Sequence, residues 1–299
     1  MAERSRVTFE SAGVACVGYH YRPDAAAEPL PCVVMGHGFG GTQEGSLRDT
    51  AVDFAGAGLS VLSFDYRSFG ESGGEPRQVI DIRGQHQDWH AAIRCARALP
   101  GVDADRIGLW GSSLGGGHVL VVAAADPKVA AVVAQVPFTF GFPRTADAHE
   151  PANARRLFKL AVKDWLAGRR GRPRSYVPAV GHRGDLAVMP VEDAWQVIQT
   201  LDGGSWRNEV APGVIVDMAF WYRPGRSARS IRCPLLLTLA EHDKATPVAM
   251  ARKVAERAPF GELRRYPCTH FDFYRPAVRS VVVQDQISFL RTHLVGLGS

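Results

Sequence analysis

From residue 6 to residue 136 the chain repeats one rhythm: a short apolar run rich in β-branched residues, then a longer amphipathic stretch closed by glycine or proline. Runs that short suit buried strands, and the stretches between them suit helices. Strands alternating with helices align in parallel, because each crossover must travel back along the sheet before the next strand starts. The spacing predicts strands over 6–11 and 14–21, a strand over 32–35, a helix over 47–57 stopped at Gly58, and a strand over 60–64. A helix over 79–99 stopped by Pro100-Gly101, a strand over 106–110, a helix over 114–125 and a strand over 129–136 continue the series. The fold class is therefore α/β, with a mostly parallel sheet flanked by helices.

After Pro137 the rhythm stops, and it returns only with a strand over 234–240, a helix over 247–257, a strand over 262–266 and a last helix over 277–293. The intervening residues 138–229 carry helical segments over 153–166, 191–201 and 214–222. Loops beyond about 12–15 residues without structure of their own are uncommon. The stretch reads as a mainly helical cap inserted into a core made of 1–137 and 230–299.

The pattern G-x-S-x-G occurs at Gly70-Glu71-Ser72-Gly73-Gly74 and at Gly111-Ser112-Ser113-Leu114-Gly115. It carries chemistry when a strand delivers the serine into a tight, strained turn and a helix starts directly after it. Ser113 meets that demand, following the Ile107–Trp110 run and preceding the 114–125 helix. Ser72 lies in a glycine-rich turn. A serine hydroxyl is a weak nucleophile at neutral pH and needs a base, which in turn needs an orienting acid. Where this turn is used, the acid follows a late strand and the histidine follows the last one. Asp243 and His270 occupy those places, with Glu241 as the substitute acid and Asp272 beside the histidine.

An oxyanion formed at Ser113 needs donors already in place. The backbone N–H of Leu114 is one, and Gly36-His37-Gly38-Phe39-Gly40-Gly41 supplies the other at Phe39. His86 and His90, four residues apart on one helix, lack a third ligand and read as surface residues, while His118 reads as a packed helix residue. Phe138, Phe140, Phe142, Trp195, Trp206 and Trp221 are candidate substrate-pocket residues, although most cap aromatics serve as core.

With 299 residues, 46% hydrophobic and 22% charged, the chain can bury one large core plus an insertion. No run of about 18 apolar residues is present to span a bilayer, and the opening MAERSRVTFE lacks a secretory core, so a cytoplasmic location and no membrane partner are expected. Five cysteines, odd in number and far apart, argue against a disulfide framework and against zinc. The net charge of +5 is spread along the chain, which argues against nucleic acid as a partner. One region departs from that spread: residues 144–183 hold ten Arg or Lys against three acids. Within it, residues 168–174 (GRRGRPR) read first as a solvated hinge.

GHGFGGTQE at 36–44, FDYRSFGESGGEPR at 64–77, RIGLWGSSLGGG at 106–117 and CTHFDFY at 268–274 together resemble bacterial α/β-hydrolases related to dienelactone hydrolases and X-prolyl dipeptidyl-peptidases, many of them acetyl xylan esterase-like. The resemblance covers the core. It implies an α/β-hydrolase fold with a twisted sheet of about eight strands, the same roles for Ser113, Asp243, His270, Phe39 and Leu114, and a structural role for Asp65 and Arg67 in the loop beside the site. Dienelactone hydrolases use a cysteine where this chain has Ser113, so their substrate does not carry over. The expected activity is hydrolysis of a small-molecule carboxylic ester or lactone through an acyl-serine, without a cofactor. The rivals are a thioesterase or acyltransferase of a biosynthetic pathway, for which the basic cap stretch would attract a carboxylate or phosphopantetheine, and a non-catalytic ligand-binding protein. The oligomeric state is open, with a homodimer admissible.

Overall fold

The computed structural model describes residues 3–23, 29–140, 150–198, 204–246 and 248–296. Eight strands form one sheet: β1 (Glu3–Ser11), β2 (Val14–Arg22), β3 (Leu30–Gly36), β4 (Ser60–Phe64), β5 (Val102–Ser112), β6 (Val129–Gln135), β7 (Leu235–Ala240) and β8 (Gly261–Tyr266). Their order across the sheet is β1-β2-β4-β3-β5-β6-β7-β8. The first two strands form an antiparallel pair, β2 runs antiparallel to β4, and every pairing from β4 to β8 is parallel. The parallel strands β3, β4, β6 and β7 are buried along almost their whole length, which is why they appear in sequence as unbroken apolar runs.

Helices α1 (Ser46–Gly56), α2 (Ile82–Ala98), α3 (Leu114–Ala125), α7 (Val248–Arg257) and α8 (Pro276–Leu294) cover the sheet. α2 starts three residues later than its apolar pattern suggests, because Asp81 accepts the N–H of Arg83 and caps it. α3 has little amphipathic character. It is buried on nearly all sides, between the sheet and the inserted segment, and so reads as uniformly apolar.

Between β6 and β7 the chain makes α4 (Pro151–Arg169), α5 (Glu192–Ile198), α6 (Val214–Phe220) and a 3-10 helix at Pro224–Ser230. One buried carboxylate ties this segment together. Asp164 on α4 accepts two hydrogen bonds from the Arg174 guanidinium, at 3.0 and 2.7 Å, and one each from the backbone N–H of Ser175 and Gly213. Burial works to raise its pKa, but the bonds from Arg174 outweigh that and hold the carboxyl below its usual range. The hinge expected over 168–174 is therefore corrected at Arg174, whose side chain is 14% exposed and is fixed by Asp164. Arg170 and Arg172 remain exposed.

Removing one member of such a pair leaves a buried charge without compensation. Arg174→Met is expected to lower stability by about 3–5 kcal/mol, read as an earlier urea midpoint. An unchanged midpoint would mean that Asp164 finds another partner or protonates at little cost.

Candidate active site

β5 ends at Ser112 and α3 begins at Leu114, leaving Ser113 alone to turn the chain. Its φ is +55° and its ψ −116°, a conformation that costs a non-glycine residue about 1–3 kcal/mol. Three backbone bonds hold it there: Ser113 N–H to the Gln135 carbonyl at 2.9 Å, and the N–H groups of Phe138 and Gly117 to the Ser113 carbonyl at 2.8 and 3.1 Å. The flanking glycines are sterically required. A Cβ on Gly111 would lie 2.3 Å from the Gly115 carbonyl oxygen, and one on Gly115 would lie 2.4 Å from that of His37. Ser72 is built differently: its buried hydroxyl donates to the Asp65 carbonyl at 2.7 Å and accepts the Val17 N–H at 2.8 Å, so it is spent on the turn.

Asp243, three residues beyond β7, and His270, four beyond β8, meet across 2.7 Å between Oδ2 and the ring Nδ1. Their side chains are 2% and 5% exposed. The other carboxylate oxygen accepts the N–H groups of Ala245 and Thr246, each at 2.7 Å, and the Thr246 hydroxyl donates to Oδ2 at 2.8 Å. Burial pushes the Asp243 carboxyl up, yet the facing His270 and these donors hold it below the ordinary carboxylate value. Glu241 is exposed and faces Arg265 at 3.6 Å, while Asp272 receives Thr269 and Arg275. Neither is placed to orient His270.

The loop after β3 brings Phe39 beside Ser113, and a Cβ on Gly38 would lie 3.1 Å from the Ser113 Cβ. Asp65 anchors this loop by accepting the Gln43 N–H at 2.8 Å, the Gln43 side-chain amide at 3.0 Å and the Glu71 N–H at 3.1 Å. Arg67 instead pairs with buried Asp88 and reaches the Ser11 hydroxyl. Trp206, expected as pocket lining, also clamps this loop through a 2.9 Å bond from its indole N–H to the Gly40 carbonyl.

Two cavities border Ser113 and His270, sharing Phe39 and Met189. The first, about 840 Å³ with its open mouth, is lined by Glu44, Ala194, Ile198 and Trp206 among others. The second, about 590 Å³ counting its opening, lies against Leu114, Phe138, Val188, Ile215 and Met218. Among the described residues lining them, Glu44 is the one formal charge. The basic stretch expected to draw an anionic group therefore lies elsewhere: Arg169 and Arg174 border a separate depression together with Arg67 and Asp81.

Of the candidate pocket aromatics, Phe138 and Trp206 line these cavities. Phe140 lies under the Arg223 guanidinium, Trp195 packs on His182, and Trp221 is 68% exposed, so these three are corrected. Phe142 lies outside the described residues. His86 is corrected as well: half-buried, it contacts His118 Nδ1 at 3.1 Å, and burial pushes its pKa down to about 4. His118 is fully buried, with Tyr222 at 2.7 Å and Gln85 at 2.9 Å. All five cysteines are free, and among the described residues no group of three or more His, Cys, Asp or Glu could hold a metal ion.

Sequence reasoning missed the polar chain behind Ser113. Tyr274 meets the Ser112 hydroxyl at 2.8 Å, Gln135 donates to that hydroxyl, Gln286 donates to Gln135, and Trp110 donates to Gln286. These residues come from four elements, so no local spacing marks them. The bonds from Ala245 and Thr246 to Asp243 were readable in principle, since an aspartate two and three residues before such N–H groups is a turn signature.

Residues 27–269 match the family model described as serine aminopeptidase, S33. The quorum-quenching protein AidA of Acinetobacter baumannii is 39% identical over 287 residues, covering 95% of this chain and 93% of that protein. Thiohydrolase apmlB of Arthrinium phaeospermum is 29% identical over 255 residues, 82% of this chain and 81% of that one. The crystal structure of the α/β hydrolase GrgF from Penicillium sp. sh18 superposes with a TM-score of 0.80 at 26% identity, covering 98% and 99% of the two chains. None of the three is named as a dienelactone hydrolase or an acetyl xylan esterase.

The loop under the site carries two buried groups with opposed linkage. Burial pushes His37 down to about 4, so its 4.0 Å contact with Asp65 is not an ion pair at neutral pH. The stability that comes from a neutral His37 is complete above about 6.5, the unfolded value, and is lost as pH falls through about 4. Asp65, pushed up to about 6 by burial, acts in the opposite sense, since the folded state gains relative stability as pH falls through that value. Thermal unfolding between pH 7 and 4 should show a shallower acid loss in His37→Asn and a steeper one in Asp65→Asn. Parallel curves for all three proteins would refute this assignment.

Proposed function

Because this chain belongs to the family of the serine aminopeptidase S33 model, within the α/β hydrolases, we propose that it is a serine hydrolase that cleaves an apolar carboxylic ester or lactone through an acyl-serine. Membership supports hydrolase chemistry, and the nucleophile and substrate must be argued from the site. The observation that carries the reading is His270, held by Asp243 at 2.7 Å and lining the same two cavities as a serine at positive φ.

In this reading Asp243 accepts the Nδ1 proton of His270, which leaves Nε2 as the basic nitrogen. Nε2 takes the Ser113 proton as Oγ attacks the acyl carbon. The developing oxyanion is met by the N–H groups of Leu114, at the start of α3, and Phe39. His270 then protonates the departing alcohol, and water, activated in the same way, releases the acid. The second cavity, closed by Phe138, Ile215 and Met218, takes the acyl chain, and the first takes the alcohol. The described residues between 138 and 229 act as the cap over both.

A second reading, thioester hydrolysis or acyl transfer, has support in the names of relatives: besides apmlB, the polyketide transferase ATR5 of Stachybotrys chlorohalonatus is 36% identical over 154 residues, 52% of this chain and 50% of that one. It uses the same acyl-serine and differs in the leaving sulfur or in an alcohol replacing water. Turnover of matched oxygen esters and thioesters, with and without added alcohol, separates the two.

Ser113→Ala should lower turnover of a p-nitrophenyl ester by about 10⁴ to 10⁶ with the fold intact; near-parent activity would remove the assignment. Met218→Trp should fill the second cavity and cut kcat/KM for octanoyl esters by about 10-fold or more while sparing acetyl esters, since one or two lost methylene sites are each worth about 1–3 kcal/mol. Equal losses on both substrates would place the acyl chain elsewhere.

A further inference from the structure

The basic stretch that stands out in the sequence has no role at Ser113, and the structure collects much of it on one side of α4. At 100° per residue, Arg155, Lys159, Lys163 and Arg169 fall within one stripe, with Arg156 at its margin, and all five are exposed. Arg170 and Arg172 extend the stripe past the helix end. Among the described residues none of these seven cations has a carboxylate within ion-pair distance. The acids nearby are otherwise engaged or sit at the edge: Asp164 is buried against Arg174, Asp217 accepts the Trp165 indole N–H, and Glu150 precedes the helix.

The same stripe exposes large apolar side chains. Phe158 and Leu166 lie among the cations at 39% and 37% exposure. Phe158 meets Phe220 edge-on at 6.4 Å between ring centroids, and beyond it Trp221 is 68% exposed. Phe220 and Trp221 end α6, whose Ile215 and Met218 line the second cavity at Ser113. One short helix thus connects the apolar surface to the apolar chamber.

We propose that the outer face of α4, with the end of α6, docks this protein on an anionic lipid surface. Aromatic and leucine side chains among lysines and arginines are the composition of segments that lie in the headgroup layer, where the apolar groups enter the acyl boundary and each cation near the surface adds attraction. This is a mode of lying on a membrane. It is compatible with the finding that no described helix is long and apolar enough to cross one. Charge complementarity selects the occupant: a second copy of this face would bring its cations against each other, and a neutral surface would leave them without a counter-charge. Docking here does not require Ser113 to be a nucleophile.

Co-sedimentation with phosphatidylcholine vesicles, with and without phosphatidylglycerol, tests the surface directly. The protein should pellet with the anionic vesicles and not with the neutral ones, and high salt should release it. Lys159→Glu combined with Lys163→Glu should weaken the partition by about 10-fold or more, and Phe158→Ser should weaken it as well. Both variants should keep the parent melting temperature and its turnover of a water-soluble ester. Failure to bind anionic vesicles, unchanged binding in both variants, or capture by soluble heparin that exceeds vesicle binding and is lost in Lys159→Glu/Lys163→Glu would overturn the proposal, the last in favour of a soluble polyanion.

Discussion

The arrangement depends on how closely two backbones approach where β3 ends and α3 begins. A Cβ at residue 115 would lie 2.4 Å from the His37 carbonyl oxygen and 2.8 Å from that of Gly36, distances that no side chain can occupy. Only glycine permits the contact, and the contact places the Phe39 loop beside the start of α3. The start of α3, the strained Ser113 and the glycine-rich loop after β3 are thereby brought side by side.

Around that approach the protein removes mobility and charge together. The Ser113 turn is fixed by the β6 carbonyl of Gln135, and the side chains of Ser112, Gln135 and Gln286 connect β5, β6 and α8 behind it. Asp243 has its oxygens filled by donors from its own turn and from His270. Nearby His37, His86 and His118 are all driven toward the neutral form by burial. The second cavity is lined mainly by apolar side chains, the first also by Glu44, Thr42 and Ser46, and in a largely apolar setting fixed dipoles act most strongly on charge.

The sheet, the turn at Ser113 and the contact of Asp243 with His270 were legible because each rests on local pattern plus chain order. Val129–Gln135 and Leu235–Ala240 announce themselves as apolar runs, and Gly111 and Gly115 bracket Ser113 because a Cβ at either would lie 2.3–2.4 Å from a backbone oxygen. The inserted segment was legible only as helices. Whether Trp206 or Trp221 faces the serine depends on how α4, α5 and α6 pack, and no periodicity encodes that. Trp206 proved to hold the Gly40 carbonyl, and Trp221 to face solvent. Arg174 read as hinge because its partner, Asp164, is ten residues away on the far side of a chain reversal.

In the proposed reaction the acyl group resides covalently on Ser113 during turnover. Rapid acid quench of the enzyme with an activated ester, followed by intact mass and peptide mapping, measures this directly. One acyl adduct is expected on the peptide carrying Ser113, formed far more slowly in His270→Ala. An adduct on Ser72 or Ser112 instead, or turnover of the ester with no adduct at any residue under conditions that trap acyl-enzymes, would contradict it.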